Sequence, residues 1–516
     1  MAGRAGRPQF CKSATVVIMT QMKDKMKYEQ LMVGSNPVES SLHLHIHEHL
    51  NAEIILGTIS SIEQALDWIR STYLFMRMKR NPTHYGLNSN ITLEGLEANI
   101  QHACQNALQS MANVGMIIMS ENGSIGGTSL GRVMSRYYLS YSTMKLLTSD
   151  MDAPSMEQLL IVICESRDLA DTVLRITEKE TLNKLNKNRE KKTVRFPFPG
   201  KIKTKEMKVN ILLQASLGCM SVTDVGLNME TPRLLQLAAR IATCLVEVVL
   251  RDPVKSQDFV LVKNTLLLSQ SLNCGLWEDS EFVSKQMLKV GVVLSNAIAS
   301  AGFKDLSSLS EANPRMLELA TKKAPPFRNN LRDWALAQPR YNLQVTVGSI
   351  SLTSVKVEVT VTLGNRDLVR NNSQEPNHHK WVMVIGCGNT VISICRGSDA
   401  LLMSSSFTKK VTVLRREWEQ DAVEVKLISL SVVGVDKTEM VNFVKPDDDT
   451  TKAPTIRSDQ ATFLSKFQRE CGHSCNDKST CKHDCCKSGR LHPGWRRWQV
   501  SNSKETVQIR GEYQPS

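Results

Sequence analysis

The hydrophobic pattern changes its period once along the 516-residue chain, and this change constrains the fold more than any other feature. Up to about residue 340, apolar residues recur with the spacing of amphipathic helices. Between Tyr341 and Phe443 they alternate with polar residues, most clearly in Gln344–Leu363. Such alternation indicates half-buried strands joined by turns, as in a small β-sandwich. The sequence therefore predicts a multidomain, mainly α-helical protein that carries a β-sandwich.

The net charge of +13 favours a polyanionic partner, either nucleic acid or a membrane surface. No apolar run approaches the roughly 18 residues that a membrane-spanning helix needs. The N-terminus also lacks the apolar stretch of a signal peptide. We therefore expect an intracellular protein that binds nucleic acid and has no membrane partner.

One predicted helix, Thr231–Arg251, carries a stripe of arginines. At 100° per residue, Arg233, Arg240 and Arg251 lie within about 20° of one another. The apolar residues of the helix fall on the opposite side. The stripe is either a solvated face or a line of nucleic-acid contacts, so the three arginines are candidate binding residues.

A basic stretch between residues 184 and 208 surrounds the run Phe196–Gly200. Its cations include Arg189, Lys191, Lys192, Lys201, Lys203 and Lys205. The stretch is either a solvated loop or a loop that follows a nucleic-acid backbone. The sequence alone leaves both interpretations open.

The first residues resemble a helicase motif. Gly3–Pro8 reads Gly-Arg-Ala-Gly-Arg-Pro and resembles motif VI of superfamily-two helicases. In that motif the arginines, here Arg4 and Arg7, reach the γ-phosphate of ATP held by the other motor lobe. The following run, Ala14–Thr20, predicts a buried strand that has no upstream neighbours. We therefore expect a fragment or isoform that starts inside motif VI.

Further motifs follow in the order that Ski-two-like helicases have. They are Asn36–Ser40, Leu50–Ile54, Gly57–Ile59, Trp68, Thr72–Leu74, Arg77, Asn81–Pro82, Tyr85–Gly86, and then Thr128–Arg132, Ser135 and Tyr137–Tyr138. The first group resembles the family's winged helix. The second group resembles the opening of its Sec-sixty-three-homology region. The resemblance covers roughly residues 1–446.

This resemblance implies a domain order. It comprises a remnant of the second RecA-like lobe (1–22), a winged helix (23–125), a helical ratchet bundle (126–270), a helix-hairpin-helix region (271–340), an immunoglobulin- or fibronectin-like sandwich (341–446) and a flexible tail (447–516). The arginine stripe falls on the ratchet helix, which in the family lies along single-stranded nucleic acid. The sandwich is often a protein-contact surface in the family.

The helix-hairpin-helix resemblance rests on residues 286–303. Such hairpins offer backbone N–H groups to phosphates, and Lys289 is a candidate nucleic-acid contact. The usual second glycine is Val293 here. Its side chain narrows the approach of a phosphate to the backbone.

The chain contains neither the G-x-x-x-x-G-K-[ST] nucleotide-binding motif nor a DExH box. We therefore expect no ATP hydrolysis by this chain alone. ATP and Mg²⁺ would act only in a full-length form that also has the first motor lobe.

Two groups of residues raise the question of metal binding. Every second residue from 43 to 49 is a histidine, namely His43, His45, His47 and His49. Only histidines four residues apart would share a helical face, and no acidic or cysteine partner completes such a pair locally. We therefore assign no metal there. Residues 471–486 concentrate five cysteines and two histidines. We expect a zinc site formed by Cys471, Cys475, Cys481 and Cys486, with Cys485 as the alternative fourth ligand. A cluster of free or redox-active thiols is the other interpretation.

The polar tail and its cysteine cluster are most similar to the meiotic, crossover-promoting helicases of the Mer-three type. This resemblance implies a nuclear 3′-to-5′ DNA helicase of homologous recombination that supports crossover formation and synapsis. Its DNA would be single-stranded or branched, and recombination proteins would bind the sandwich or the tail. An RNA helicase relative of the spliceosomal or exosome branch and a motor-less protein scaffold are the alternatives.

Overall fold

A computed structural model describes residues 13, 15–34, 38–150, 154–187, 194–323, 326–351, 354–371, 379–414, 422–442, 499–503 and 506–510. The chain divides into two units, Met1–Asn442 and Phe443–Ser516. None of the described helices combines the length and the apolar composition that crossing a lipid bilayer requires.

The first unit contains α-helices and antiparallel strands. The described helices are α1 (Lys25–Val33), α2 (Ile46–Leu56), α3 (Ile62–Ser71), α4 (Tyr73–Arg80), α5 (Leu93–Asn113), α6 (Ser129–Tyr137), α7 (Tyr141–Thr148), α8 (Met156–Cys164), α9 (Lys179–Asn186), α10 (Lys205–Leu217), α11 (Val225–Arg251), α12 (Phe259–Cys274), α13 (Val292–Ser300), α14 (Leu306–Glu311), α15 (Pro314–Thr321), α16 (Phe327–Ala337), α17 (Arg366–Asn371) and α18 (Asp399–Ser404). The described strands are β1 (Ile117–Met119), β2 (Ile125–Gly127), β3 (Tyr341–Ile350), β4 (Ser354–Leu363), β5 (Lys380–Cys387), β6 (Thr390–Ser398), β7 (Phe407–Leu414), β8 (Ala422–Ser429) and β9 (Lys437–Asn442).

The winged helix is formed by α2 to α5 and a small wing. The Ser61 side chain accepts a hydrogen bond from the Gln64 N–H at the start of α3, which fixes where that helix begins. The wing consists of β1, which pairs antiparallel with β2. Gly123, at φ 79°, makes the turn, and the buried Ile125 anchors β2.

Helix α2 begins at Ile46. The extended backbone of Thr72 separates α3 from α4. The predicted buried strand Ala14–Thr20 is wrong for the described residues 15–20, which are exposed and belong to no strand. A β-branched run forms a strand only where another strand is present to pair with it.

The helical bundle is organised around α11, which packs against α6, α10 and α12. Its apolar side, which includes Leu234, Ile241, Leu245 and Val249, is buried in a hydrophobic core. That core is continuous from the winged helix through the bundle. A separate cluster lies in the region of α13 to α16, where Ile298, Leu309, Leu317 and Leu331 are buried together.

The predicted β-rich region forms two antiparallel sheets, in the orders β3-β4-β7 and β6-β5-β8-β9. The rings of Trp381 and Phe407 meet edge to face across them at 5.3 Å. Strand β5 is buried on both faces, because Val382 and Val384 belong to the core of the helical bundle. The four-stranded sheet therefore lies between the three-stranded sheet and the helices.

A partly buried carboxylate links this sheet to α12. Asp436, in the turn before β9, accepts a hydrogen bond from the Ser429 N–H at 2.8 Å. Both of its oxygens also accept from Gln270 Nε2 at 2.9 Å. Burial raises the pKa of Asp436 to about 6, although these hydrogen bonds oppose the shift.

In the second unit, the described residues form one antiparallel hairpin, β10 (Gln499–Ser503) with β11 (Thr506–Arg510). This hairpin lies within residues 447–516, the segment predicted to be a flexible tail. The predicted zinc ligands Cys471, Cys475, Cys481 and Cys486, and the alternative Cys485, lie outside the described residues.

Candidate nucleic-acid interface

The motif residues of the winged helix form a hydrogen-bonded lock. Glu39 accepts from Arg77 Nε at 3.1 Å and Nη2 at 2.7 Å, from Asn81 Nδ2 at 2.8 Å and from the Tyr85 hydroxyl at 2.9 Å. The Tyr85 oxygen in turn accepts from the Ser40 N–H. The hydrogen bonds from Arg77 and then Asn81 lower the pKa of Glu39 to about 2. These residues hold the segment before α2 against α4, so their role is structural.

A second lock joins the winged helix to the opening of the bundle. Asn51 Nδ2 donates to the Gly131 carbonyl and to Ser135 Oγ, each at 2.9 Å. A Cβ atom on Gly131 would lie 2.4 Å from the Met116 carbonyl oxygen. Only glycine fits there, which explains the glycine at position 131 of this motif.

The alternating histidines contact aromatic rings. The His43 ring lies edge-on to Tyr85 at 5.0 Å, and His47 stacks on Tyr141 at 4.4 Å. Burial lowers the pKa of His47. Across the part of the chain that the structure describes, no group of three or more His, Cys, Asp or Glu residues is arranged to hold a metal ion.

Helix α11, predicted as Thr231–Arg251, begins earlier, at Val225. The Asp224 side chain caps it by accepting from the Leu227 N–H at 2.9 Å. The helix then continues through Pro232, which has no N–H to donate to the preceding turn. The helix is therefore 27 residues long and presents its arginines along one long element.

The arginines of the stripe have different environments. Arg233 is exposed and forms no ion pair with a described residue. Arg240 is half-buried, and its Nε is buried without a hydrogen-bond partner among the described residues. Arg233 is thus the residue of the stripe whose side chain is both exposed and without an ion pair among the described residues.

Arg251 differs, because it is held by Glu247 one turn earlier through an ion pair and a bond to the Glu247 carbonyl at 3.0 Å. Glu247 also accepts from Arg396 of β6 at 2.8 Å. Burial alone would raise the pKa of Glu247, but the hydrogen bond from Arg251 and the charge of Arg396 keep it lowered. Glu247, through Arg396, therefore ties α11 to the sheet, and Arg251 is paired within its own helix.

Two further arginines lie next to α11, and the sequence analysis did not assign them a role. Arg132 and Arg136 are exposed and one turn apart on α6, which packs against α11. Neither forms an ion pair with any residue in the described segments. Their spacing of four is the signal that could have identified them.

The lysines of the basic stretch 184–208 differ in their exposure and in their partners. Lys201 and Lys203 are exposed. Lys205 Nζ donates to the Ala170 carbonyl at 2.7 Å. Lys208 is fully buried and pairs with Glu178 at 2.9 Å and with Glu230 of α11 at 2.8 Å. Arg189, Lys191 and Lys192 lie outside the described residues.

The remaining predicted residues lie elsewhere. Lys289, at φ 72°, borders a groove together with Lys322 and Lys323, which the sequence analysis did not single out. Residues 286–303, on which the helix-hairpin-helix resemblance rests, contain α13, and α14 begins after them. Arg4 and Arg7 of the motif VI resemblance lie outside the described residues.

Two family models match the chain. The model described as the Sec63 Brl domain matches residues 127–442. The model described as a winged helix-turn-helix domain matches residues 39–121.

The chain is also similar to curated helicases. It is 36% identical over 515 residues to "Probable ATP-dependent DNA helicase HFM1" of Homo sapiens, covering 95% of this chain and 36% of that protein. It is 29% identical over 460 residues to "ATP-dependent DNA helicase homolog MER3" of Arabidopsis thaliana, covering 87% and 40%. It is 25% identical over 577 residues to "ATP-dependent DNA helicase MER3" of Saccharomyces cerevisiae, covering 95% and 48%. The chain thus spans less than half the length of these relatives.

Proposed function

Since the chain belongs to the Mer3-type, Ski2-like helicase family with a Sec63 Brl domain, we propose that it is the nucleic-acid-binding region of an ATP-dependent DNA helicase. The helicase moves 3′ to 5′ and acts in the nucleus, in meiotic homologous recombination. There it supports crossover formation and synapsis. Its DNA is single-stranded or branched.

The arginines of α11 carry this proposal. Arg233 is exposed, and the half-buried Arg240 lies two turns further along the same side of the helix. Arginine in such a setting donates well to phosphate oxygens, because its guanidinium stays charged and presents several N–H groups. A helix with a rigid apolar side can hold these donors along a DNA backbone.

The sandwich and the tail have separate proposed roles. The two-sheet region is immunoglobulin- or fibronectin-like and binds recombination proteins. The tail binds Zn²⁺ through Cys471, Cys475, Cys481 and Cys486 or Cys485. Arg4 and Arg7 act on ATP only where the first motor lobe is present, so the chain alone does not hydrolyse ATP.

The test is fluorescence anisotropy with labelled single-stranded DNA, a DNA fork and matched RNA, measured over a salt series. We expect tighter binding to DNA than to RNA. Replacing both Arg233 and Arg240 by Ala should weaken DNA binding and flatten its salt dependence. The control replaces Lys356 and Lys437, two exposed lysines on the sheets, so that the charge loss is the same.

Each outcome is informative. Equal loss of affinity in the arginine variant and in the lysine control would mean that only net charge attracts DNA, and the scaffold alternative would replace the proposal. Equal or tighter binding of RNA would favour an RNA helicase relative.

A further inference from the structure

A groove of about 650 Å³ lies between the turn before α11, the start of α13 and the end of α15. Its walls are largely aliphatic and include Val222, Val292, Val293, Leu294 and Ala297. Grooves of this size, within the usual range of about 300–1,000 Å³, hold several side chains of a bound partner.

One large aliphatic side chain in the lining of the groove is exposed, since Val293 is 78% exposed. Leu288, next to the lining residue Lys289, is also 78% exposed, and Leu319 on α15 is 75% exposed. Exposed aliphatic side chains at a surface groove are typical of a site of protein association.

The charge at the groove has one sign. Lys289, Lys322 and Lys323 line it, and its described lining contains no Asp or Glu. In addition, the N-cap residue of α13 is Gly291, which has no side chain to cap the helix. Its first N–H groups thus favour an anion, in the same place as the lysines. The occupant should combine carboxylates with aliphatic side chains.

DNA is a poorer fit to this groove than a protein segment. The described lining contains no aromatic ring on which a base could stack. Val293 occupies the position where the related hairpins have a second glycine, and its exposed side chain keeps a phosphate away from the backbone. The exposed Val293 side chain can instead pack against aliphatic residues of a partner protein.

We propose that this groove binds an acidic amphipathic helix of a partner protein. The aliphatic side of the helix enters the groove beside Val293, and its carboxylates face Lys289, Lys322 and Lys323. This mode corresponds to a helix lying in a hydrophobic groove, with charge setting its orientation. It is independent of DNA binding by α11.

The experiment uses the full chain and a fluorescein-labelled peptide of about five helical turns. The peptide has Leu at i, i+4 and i+7 and Glu on both sides of that stripe. One control peptide has Lys in place of Glu, and another has Ser in place of Leu. Anisotropy is measured for the original chain, for Val293→Asp and for the double variant Lys322→Ala, Lys323→Ala.

Matched variants control for charge and folding. Lys201→Ala with Lys203→Ala removes two exposed lysines from another loop, and Ile176→Asp adds a carboxylate at another exposed aliphatic residue. Circular dichroism confirms that each variant is folded. Val293→Asp should fold, since an acidic residue is favourable in the first turn of a helix.

We expect the groove variants to bind the acidic peptide at least about tenfold more weakly, the effect of losing one anchoring contact. The matched variants should bind the acidic peptide as tightly as the original chain does. Neither control peptide should bind. Equal affinity for the acidic and the Lys-containing peptides would overturn the proposal. So would loss of single-stranded DNA binding in the groove variants without binding of the acidic peptide, which would make the groove a DNA site.

Discussion

Replacing Asp436 by Asn should stabilise the protein at neutral pH. Asp436 lies between the four-stranded sheet and α12, with hydrogen bonds from Ser429 and Gln270. Its pKa rises from the ordinary 3.8 to about 6, because burial penalises the charged form. Asn is similar in shape and keeps an oxygen for the Ser429 N–H, but it carries no charge.

The sign of the pH dependence follows from this shift. The folded state binds the proton of Asp436 more tightly than the unfolded state does, so stability falls as pH rises from about 4 to about 6 and then stays level. A shift of about two pKa units corresponds to about 3 kcal/mol of lost stability. The Asn variant lacks this loss. It should therefore be more stable by up to about 3 kcal/mol at pH 7.5 and similar to the original at pH 4.

Urea unfolding followed by circular dichroism at several pH values measures the difference. Glu439→Gln, at an exposed carboxylate on β9, is the control and should leave the pH profile unchanged. If Asp436→Asn were less stable than the original at pH 7.5, or if the difference did not change between pH 4 and pH 7.5, the burial argument would be wrong.

Three further predictions concern the stripe, the first lock and the tail. Arg233→Ala should reduce the slope of log affinity against log salt for single-stranded DNA by about 0.7. Arg251→Ala should reduce this slope by much less, because Glu247 already neutralises Arg251. A larger reduction for Arg251→Ala than for Arg233→Ala would contradict this. The Glu39→Gln variant should be less stable than the original protein at neutral pH, and it should lose less stability as pH falls from about 4.5 to about 2. The reason is that Glu39, whose pKa is lowered in the folded state, stabilises the fold only while it is ionised. Urea unfolding over that pH range measures the difference, and the same pH profile for both proteins would contradict the reasoning. Cys481→Ser should reduce the zinc content measured by atomic absorption, whereas Ser at the buried Cys395 should not, and equal zinc in both variants would exclude Cys481 as a ligand.

Helix α11 shows which structural features the spacing of apolar residues can predict and which it cannot. The buried side follows from the spacing of Leu234, Ile241 and Leu245, so the helix and its orientation could be predicted. Its start could not, because Pro232 looks like a first-turn residue. In the structure, the Asp224 cap and the buried Leu227 outweigh the hydrogen bond that proline removes.

The candidate site was predictable only in part, for a different reason. The stripe identified Arg233 and Arg240, but the spacing of Glu247 and Arg251 already signalled an ion pair within the helix. Lys322 and Lys323 could not be connected to Lys289 from the sequence. The groove that brings them together is built from three elements whose packing, rather than their pattern, decides which side chains become neighbours.

The four-stranded sheet shares its core with the helices, and this has a mechanical consequence. Val382, Val384 and Ile428 belong to the same buried cluster as α11, and the Phe259 N–H donates to the Asn389 carbonyl at 2.7 Å. A Cβ atom at Gly386 would lie 2.2 Å from the Phe259 ring, so sheet and helix touch without any space between them. The four-stranded sheet and the helices are therefore packed as one unit. We expect a protein bound to the sheet to move together with α11 and its arginines.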